Sequence, residues 1–291
     1  MIKKILIVLG AFLAVLIIGG GIFYTNIYHS TEARIQKKYV VVPQELTLTS
    51  DSAELAYGDR LLTAKGCRDC HGMDLGGQVF IDDPALAFLV GRNLTKGKGG
   101  LPQDYAVSDW VLALKHGIRR DGKPLLFMPS HEYALLSAQD MSAIISYASS
   151  LPPVDRTFPE QKVGPMGRVL TAFDKLPLLP AEMIDHTRSL VKEVKAEVSV
   201  AFGQYLSSAC QGCHRANMKG GDPVAPGFPN VADISATGNV GRWTEEQFIN
   251  TLRTGKTPEG KILKPNEMPW NMTAAYTDTE LKALFVYLNS I

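Results

Sequence analysis

Charge of one sign is what this chain most lacks. Thirty basic residues stand against 29 acidic ones among 291, a formal charge of +1. A chain so nearly neutral carries no electrostatic footprint for a nucleic acid or a polyanionic substrate. The balance is also local: residues 51–152 hold 10 bases and 12 acids, and residues 197–291 hold 8 and 9. Partners are therefore expected to dock transiently, without long-range steering. Cysteine is scarce as well. All four cysteines fall in two short strings, Cys67-Arg68-Asp69-Cys70-His71 and Cys210-Gln211-Gly212-Cys213-His214. None is left for a structural disulfide or a free thiol, and none lies near the N-terminus to be acylated, which excludes a lipoprotein. Alternation of apolar and polar residues is missing too, so no sheet is predicted. The length allows about two domains.

One long apolar run is present. Residues Ile5–Phe23 carry no charge and follow Lys3 and Lys4. As a helix they span about 28 Å, close to the thickness of a bilayer core. A cleaved signal peptide is the competing reading, but its apolar region is normally about 7–15 residues and ends at a small-x-small site. Gly19-Gly20-Gly21-Ile22-Phe23-Tyr24 offers no convincing one, so length favours a retained anchor over residues 1–28. Tyr24 and Tyr28 then sit at the outer interface, although basic residues flank the run on both sides (Arg34, Lys37 and Lys38 follow it) and leave the orientation open on charge alone. Residues 29–51 read as a tether.

Aligning the two cysteine strings exposes an internal repeat. Ala56-Tyr57-Gly58-Asp59-Arg60-Leu61 precedes the first, and Ala201-Phe202-Gly203-Gln204-Tyr205-Leu206 the second. Downstream, the segments Ser108–Gly117 and Glu246–Gly255 are short amphipathic helices stopped by glycine. Phe127-Met128-Pro129 and Glu267-Met268-Pro269 follow, with the methionines 57 and 54 residues beyond the motif histidines. Each half closes on a capped helix, opened by Ser137-x-x-Asp140 and by Thr277-x-x-Glu280. Met141, Ile144, Ile145 and Ala148 share one helical face, as do Leu281, Leu284, Phe285 and Leu288. The fold class is therefore all-α: two helical domains in tandem, residues 52–152 and 198–291, behind an N-terminal transmembrane helix. Residues 153–197 form a linker, with short helices over Gly164–Leu176 and Ala181–Val194, expected to pack across both domains.

The chemistry lies in the two C-x-x-C-H strings. Two thiols three residues apart can form thioethers to both vinyl groups on one edge of a porphyrin, and the next residue then offers its imidazole to the iron. Each half thus reads as a covalent haem c site, held by Cys67 and Cys70 with His71, and by Cys210 and Cys213 with His214. Met128 and Met268 supply the sixth ligands. Met/His ligation raises the reduction potential and leaves no open position for oxygen or peroxide, so no catalytic residue is assigned. Proline after each methionine stiffens the loop by fixing φ. A thioredoxin-like C-x-x-C needs a βαβ context and no histidine, and a zinc ribbon brings its pairs about 15–20 residues apart. Neither predicts a repeated Met-Pro.

Some alternatives stay open. Met272 is the serious rival to Met268, and His131, three residues past Met128, is an alternative ligand in the first half. Met73, Met141, Met166, Met183 and Met218 read as core or surface. His116 sits at a helix end, where a cation suits the dipole; His29 and His186 read as surface. Arg92, Asn93, Trp110, Arg242 and Trp243 are candidate donors to the haem propionates, with Trp110 better read as core.

On these motifs the chain resembles tandem class I cytochromes c. It also resembles the cytochrome c subunits of bacterial membrane-bound dehydrogenases through Asn93-Leu94-Thr95, Asp121-Gly122-Lys123-Pro124 and Phe127-Met128-Pro129-Ser130. It departs from those subunits in having two haem motifs where they commonly have three. The resemblance implies iron ligands at His71, Met128, His214 and Met268. Haem attachment to such strings occurs outside the cytoplasm, which places the domains on the periplasmic side of the inner membrane, on a single-pass anchor. The expected role is that of an electron carrier without substrate chemistry. Its expected partners are a redox donor and acceptor: a dehydrogenase, a quinol-oxidising complex or a terminal oxidase. A subunit lending its haems to a dehydrogenase complex is the alternative. A di-haem peroxidase or thiosulfate-oxidising enzyme is the more distant one.

Overall fold

The computed structural model describes residues 1–224 and 227–291. The N-terminal run forms one continuous helix, α1 (Ile2–Ile35), of 34 residues. Its apolar side chains from Ile5 to Phe23 are exposed, the state expected of a segment whose solvent is lipid. The helix does not stop at Tyr28 as expected. Its last two turns continue because Ile27 and Thr31 are buried against the protein body, so the tether without regular structure begins only after Ile35.

The first repeat begins with α2 (Ser52–Ala64), capped by the Asp51 carboxylate, which accepts from the Ala53 and Glu54 amides at 2.9 and 3.1 Å. Gly66, at φ 72°, turns the chain into α3 (Cys67–His71). An antiparallel hairpin follows, β1 (Gln78–Asp83) and β2 (Ala87–Gly91). Next come α4 (Val107–His116), ended by Gly117 at φ 64°, and the single turn α5 (Ser130–Tyr133). Closing the repeat, α6 (Ala138–Ser150) is capped by the Ser137 hydroxyl, which accepts from the Asp140 amide at 3.1 Å. Leu61, Leu62, Trp110, Val111, Leu114, Met141, Ile144 and Ile145 share one core. Each such side chain contributes about 1.5–3 kcal/mol on burial.

The hairpin was not anticipated, and β3 (Lys162–Val163) adds a third strand beside β2. Nearly all of β1 is exposed, so its sequence carries no apolar alternation. β2 is covered on both sides and reads as a short apolar run, which periodicity cannot assign. The linker also differs from expectation. Its helix α7 covers only Pro165–Ala172, and Pro180–Met183 is a single 3-10 turn. Asp174 in the left-handed region (φ 53°) and Pro177 stop the first helix. Beyond Met183 the chain runs as a strap whose backbone bonds go elsewhere: the Val191 carbonyl accepts from the Ala138 amide at 2.7 Å, and the Leu190 amide donates to Gln44 Oε1 at 2.9 Å. Leu190 is buried in the first core and Val194 lies against the second. The strap therefore touches both.

The second repeat contains α8 (Val200–Leu206), α9 (Gln211–His214), α10 (Glu245–Thr254), α11 (Trp270–Thr273) and α12 (Asp278–Leu288). Both α10 and α12 open with capping boxes, Thr244 with Gln247 and Thr277 with Glu280. Phe202, Leu206, Phe248, Leu252, Leu281, Leu284 and Leu288 form its core. The two repeats share one device. A Cβ on Gly58 of α2 would strike the Ala143 carbonyl of α6, and one on Gly203 of α8 would strike the Ala283 carbonyl of α12. Only glycine lets these helix pairs cross so closely.

Candidate functional site

Each motif turn places two thiols and an imidazole one helical turn apart. The His71 ring nitrogen Nδ1 lies 2.7 Å from the Arg92 carbonyl, and His214 Nδ1 lies 2.9 Å from the Ala232 carbonyl. In each ring Nδ1–H donates, which fixes the tautomer and leaves the Nε2 lone pair for a metal. Burial lowers the pKa of both rings and so keeps them neutral, the form that ligates iron. Burial also pushes the Cys67 thiol up to about 12, and the Cys70 and Cys210 thiols to about 11.

The methionine loops are built the same way twice. After Gly117 a bridge joins Ile118 to Pro124, and the Leu125 amide donates to the Gly117 carbonyl at 2.7 Å. After Gly255 a bridge joins Lys256 to Ile262, and the Leu263 amide donates to the Gly255 carbonyl at 2.7 Å. Met128 packs on the core that contains Cys67, and Met268 on the core that Cys210 lines. Phe127 holds a left-handed φ of 62° immediately before Met128. The linker fixes that loop, because the Phe127 amide donates to the Leu178 carbonyl at 2.7 Å. The donor set and its tautomers fit covalently attached haem with His and Met ligands.

Met272, the rival ligand, faces elsewhere. Its Cε and Sδ lie 2.7 and 3.0 Å from where a Cβ on Gly66 would sit, against the first motif. The matching residue of the first repeat, Glu132, stands 2.8 Å from the equivalent point on Gly212, inside the second motif. The two repeats therefore meet across an approximate two-fold axis. Arg60 of α2 donates to both Glu280 oxygens at 2.6 and 3.0 Å, while Tyr205 of α8 donates to Asp140 at 2.5 Å. Tyr57 also donates to Asp140, at 2.7 Å, and Lys65 is buried in the same seam over the Tyr205 ring. Desolvation lowers the Lys65 pKa, and burial raises that of Glu132 to about 7. Sequence reasoning read Asp140 and Glu280 only as cap residues. Their shared place in the repeat, opposite Tyr205 and Arg60, was the available signal.

The remaining candidates divide. Asn93 is nearly inaccessible, and its side chain is occupied: it donates to the Val154 carbonyl at 2.7 Å and accepts from Thr95. Arg92 is exposed and contributes its carbonyl to His71. Trp110 is a core residue stacked edge-on with Tyr105. Arg242 bonds Asn239, and the Trp243 indole donates to Glu259 at 2.8 Å. His131 lies on α5 with Nδ1 buried and without a partner among the described residues. His29 is exposed. The readings of His116 and His186 need correction. His116 is fully buried, with Nδ1 3.0 Å from Nδ1 of the half-buried His186. Desolvation pushes its pKa down to about 4, so it is neutral and no partner for a helix dipole.

The family model for cytochrome c matches residues 55–152 and again residues 200–291. The chain belongs to the cytochrome c family. Cytochrome c domains hold covalently bound haem c, and the motif residues described above are suited to it. Among curated proteins, the chain is similar to the fructose dehydrogenase cytochrome subunit of Gluconobacter japonicus, 25% identical over 267 residues, covering 81% of this chain and 52% of that one. It is similar to the cytochrome c subunit of the quinone alcohol dehydrogenase of Gluconobacter oxydans, 24% identical over 269 residues, covering 83% and 55%. The gluconate 2-dehydrogenase cytochrome c subunit of Pantoea cypripedii is 26% identical over 245 residues, covering 71% and 52%. This cytochrome thus spans about half the length of the curated relatives it matches.

Proposed function

We propose that this chain is a membrane-anchored di-haem cytochrome c that passes single electrons between a redox-protein donor and a terminal acceptor in the periplasm. Cys67 and Cys70, and Cys210 and Cys213, attach the two haems, and His71 with Met128 and His214 with Met268 ligate them. The observation that carries the reading is the twice-built site: a motif histidine with its Nδ1 bonded to a carbonyl, and a Met-Pro loop on the same core. When bound, haem iron cycles between its ferric and ferrous states, taking up and releasing one electron. The protein's part is to orient the imidazoles, hold the thioethers in place and exclude water with the two cores. α1 anchors the chain in the inner membrane, with the haem units on the periplasmic side. Haem quantification with spectroelectrochemical titration of the purified full chain tests this. Two haems per chain and two one-electron waves at potentials typical of Met/His iron are expected. A high-spin band with rapid consumption of hydrogen peroxide would refute it.

The names of the relatives favour a narrower reading, in which the donor is a membrane-bound dehydrogenase and this chain is its cytochrome subunit. Co-purification of a dehydrogenase from solubilised membranes tests that choice. A chain that purifies alone at all detergent concentrations would count against it.

A further inference from the structure

The linker helix α7 lies against the end of α1, just past the apolar run. The Phe23 ring, last of that run, packs on Phe173 with centroids 6.5 Å apart. Above it, the buried Arg168 guanidinium donates to Thr31 Oγ1 at 3.1 Å and to Glu32 at 2.8 Å, and stands 4.2 Å over the Tyr28 ring. Arg34 answers from α1, donating to Glu182 at 2.6 Å and to the Thr171 carbonyl at 2.9 Å. An ion-pair and hydrogen-bond network thus joins the two helices, with one guanidinium out of solvent. α7 is in turn tied to the first repeat: the Gly164 and Met166 amides donate to the Leu86 and Ala85 carbonyls at 2.9 and 2.8 Å. α1, α7, the hairpin and the Met128 loop are therefore linked by direct hydrogen bonds into one continuous body.

That body leaves apolar side chains uncovered where it meets the apolar run. Phe173 is 55% exposed although it contacts Phe23, and Lys175 follows two residues later on the same exposed turn. A phenylalanine in water beside a lipid-facing helix, with a lysine at hand for headgroups, fits the interfacial layer of a bilayer. We propose that the turn following α7, with Phe173 at its tip, beds into the lipid surface and gives the chain a second membrane contact beside α1. The occupant is lipid because the patch is continuous with the apolar run through Phe23. Two contacts joined through the α1–α7 network fix the orientation, with the first haem unit next to the membrane. This inference rests on the reading of α1 as a membrane anchor.

The test is photocrosslinking in the full haem-loaded chain, reconstituted into phosphatidylcholine vesicles. Phe23, Phe173 and Phe228 are replaced one at a time by p-benzoyl-phenylalanine, and lipid adducts are read by mass spectrometry. Adducts at positions 23 and 173 but none at 228, in the second repeat, support the inference. Adducts at 23 without 173 overturn it and leave the anchor standing. Adducts at none of the three overturn both, and adducts at 228 equal to those at 173 overturn a localised contact. A second readout is linear dichroism of the haem bands in oriented bilayers: Phe173→Glu is expected to reduce the dichroic ratio without altering the absorption spectrum. An unchanged ratio would count against a fixed orientation.

Discussion

Acid should loosen the strap from the first repeat, and His116 is the reason. The His186 Nε2–H donates to the Ala181 carbonyl at 3.1 Å, so His186 Nδ1 must accept from His116 Nδ1–H across 3.0 Å. Among the described residues, His116 Nε2 is buried without a partner. Protonating it would place an unpaired cation beside Lys115 and His186, and the pKa falls from 6.5 to about 4, with desolvation the largest cause and those two groups next. Because the native pKa lies below the unfolded one, the unfolded chain binds more protons between those limits. Stability therefore falls as pH drops from 6.5 towards 4, at up to about 1.4 kcal/mol per pH unit. From pH 7.5 to 5.0 the loss from this group is about 2 kcal/mol, or about 4–8 °C in Tm. His116→Asn keeps an N–H for His186 and cannot titrate. Thermal unfolding of both proteins at pH 7.5 and 5.0, followed by far-ultraviolet circular dichroism, reads the effect. The variant should lose less Tm on acidification by about that margin. An equal loss in the two proteins would refute the reasoning.

Other perturbations address the sites and the seam. Met128→Ala and Met268→Ala should each lower the midpoint potential of one haem and leave the other unchanged, as read by spectroelectrochemistry, since thioether ligation raises the potential. Gly58→Val and Gly203→Val force a side chain into a backbone carbonyl of the partner helix; a loss of about 1–3 kcal/mol or more is expected from urea midpoints. Arg60→Met leaves Glu280, 5% exposed, without its bidentate cation. It should cost about 1.5–3 kcal/mol and separate one calorimetric transition into two; a single unshifted transition would show that the seam does not couple the repeats.

Much of the helical plan was legible because it rests on local rules. Caps at Ser137 and Thr277, stops at Gly117 and Gly255, and the spacing of Met141, Ile144 and Ile145 each act within a few residues. The motif strings were legible for the same reason: their geometry lies within a single turn. What sequence reasoning missed depends on contacts between distant segments. β1 has no buried face to announce it, and the strap forms no second helix because its backbone partners lie on Ala138 and Gln44. His116 looked like a helix-end cation because it stands in the last turn of α4, just before Gly117. Its burial comes from His186, 70 residues away. Desolvation then outweighs a dipole term of about 0.3–1 kcal/mol.

The repeat carries a further consequence that neither half shows alone. Corresponding positions were reused with different chemistry: Arg60 with Glu280 on one side of the axis, Tyr205 with Asp140 on the other. A duplicated interface that stayed identical would pair equally well with a second copy of the chain. Divergence at these four positions makes the two sides of the seam chemically distinct, a bidentate Arg60–Glu280 ion pair on one and a Tyr205–Asp140 hydrogen bond on the other. The same asymmetry reaches the motifs, where a half-buried carboxyl (Glu132) faces Gly212 and a thioether (Met272) faces Gly66. Above its raised pKa of about 7 the Glu132 carboxyl is ionised and stabilises an oxidised centre more than a thioether does, so in mildly alkaline buffer the two sites sit in unequal fields. Exchanging the pair, Glu132→Met with Met272→Glu, should move the two midpoint potentials in opposite directions: the second haem upward, the first downward. Potentials that shift together or not at all would show that the fields of these two residues do not distinguish the haems.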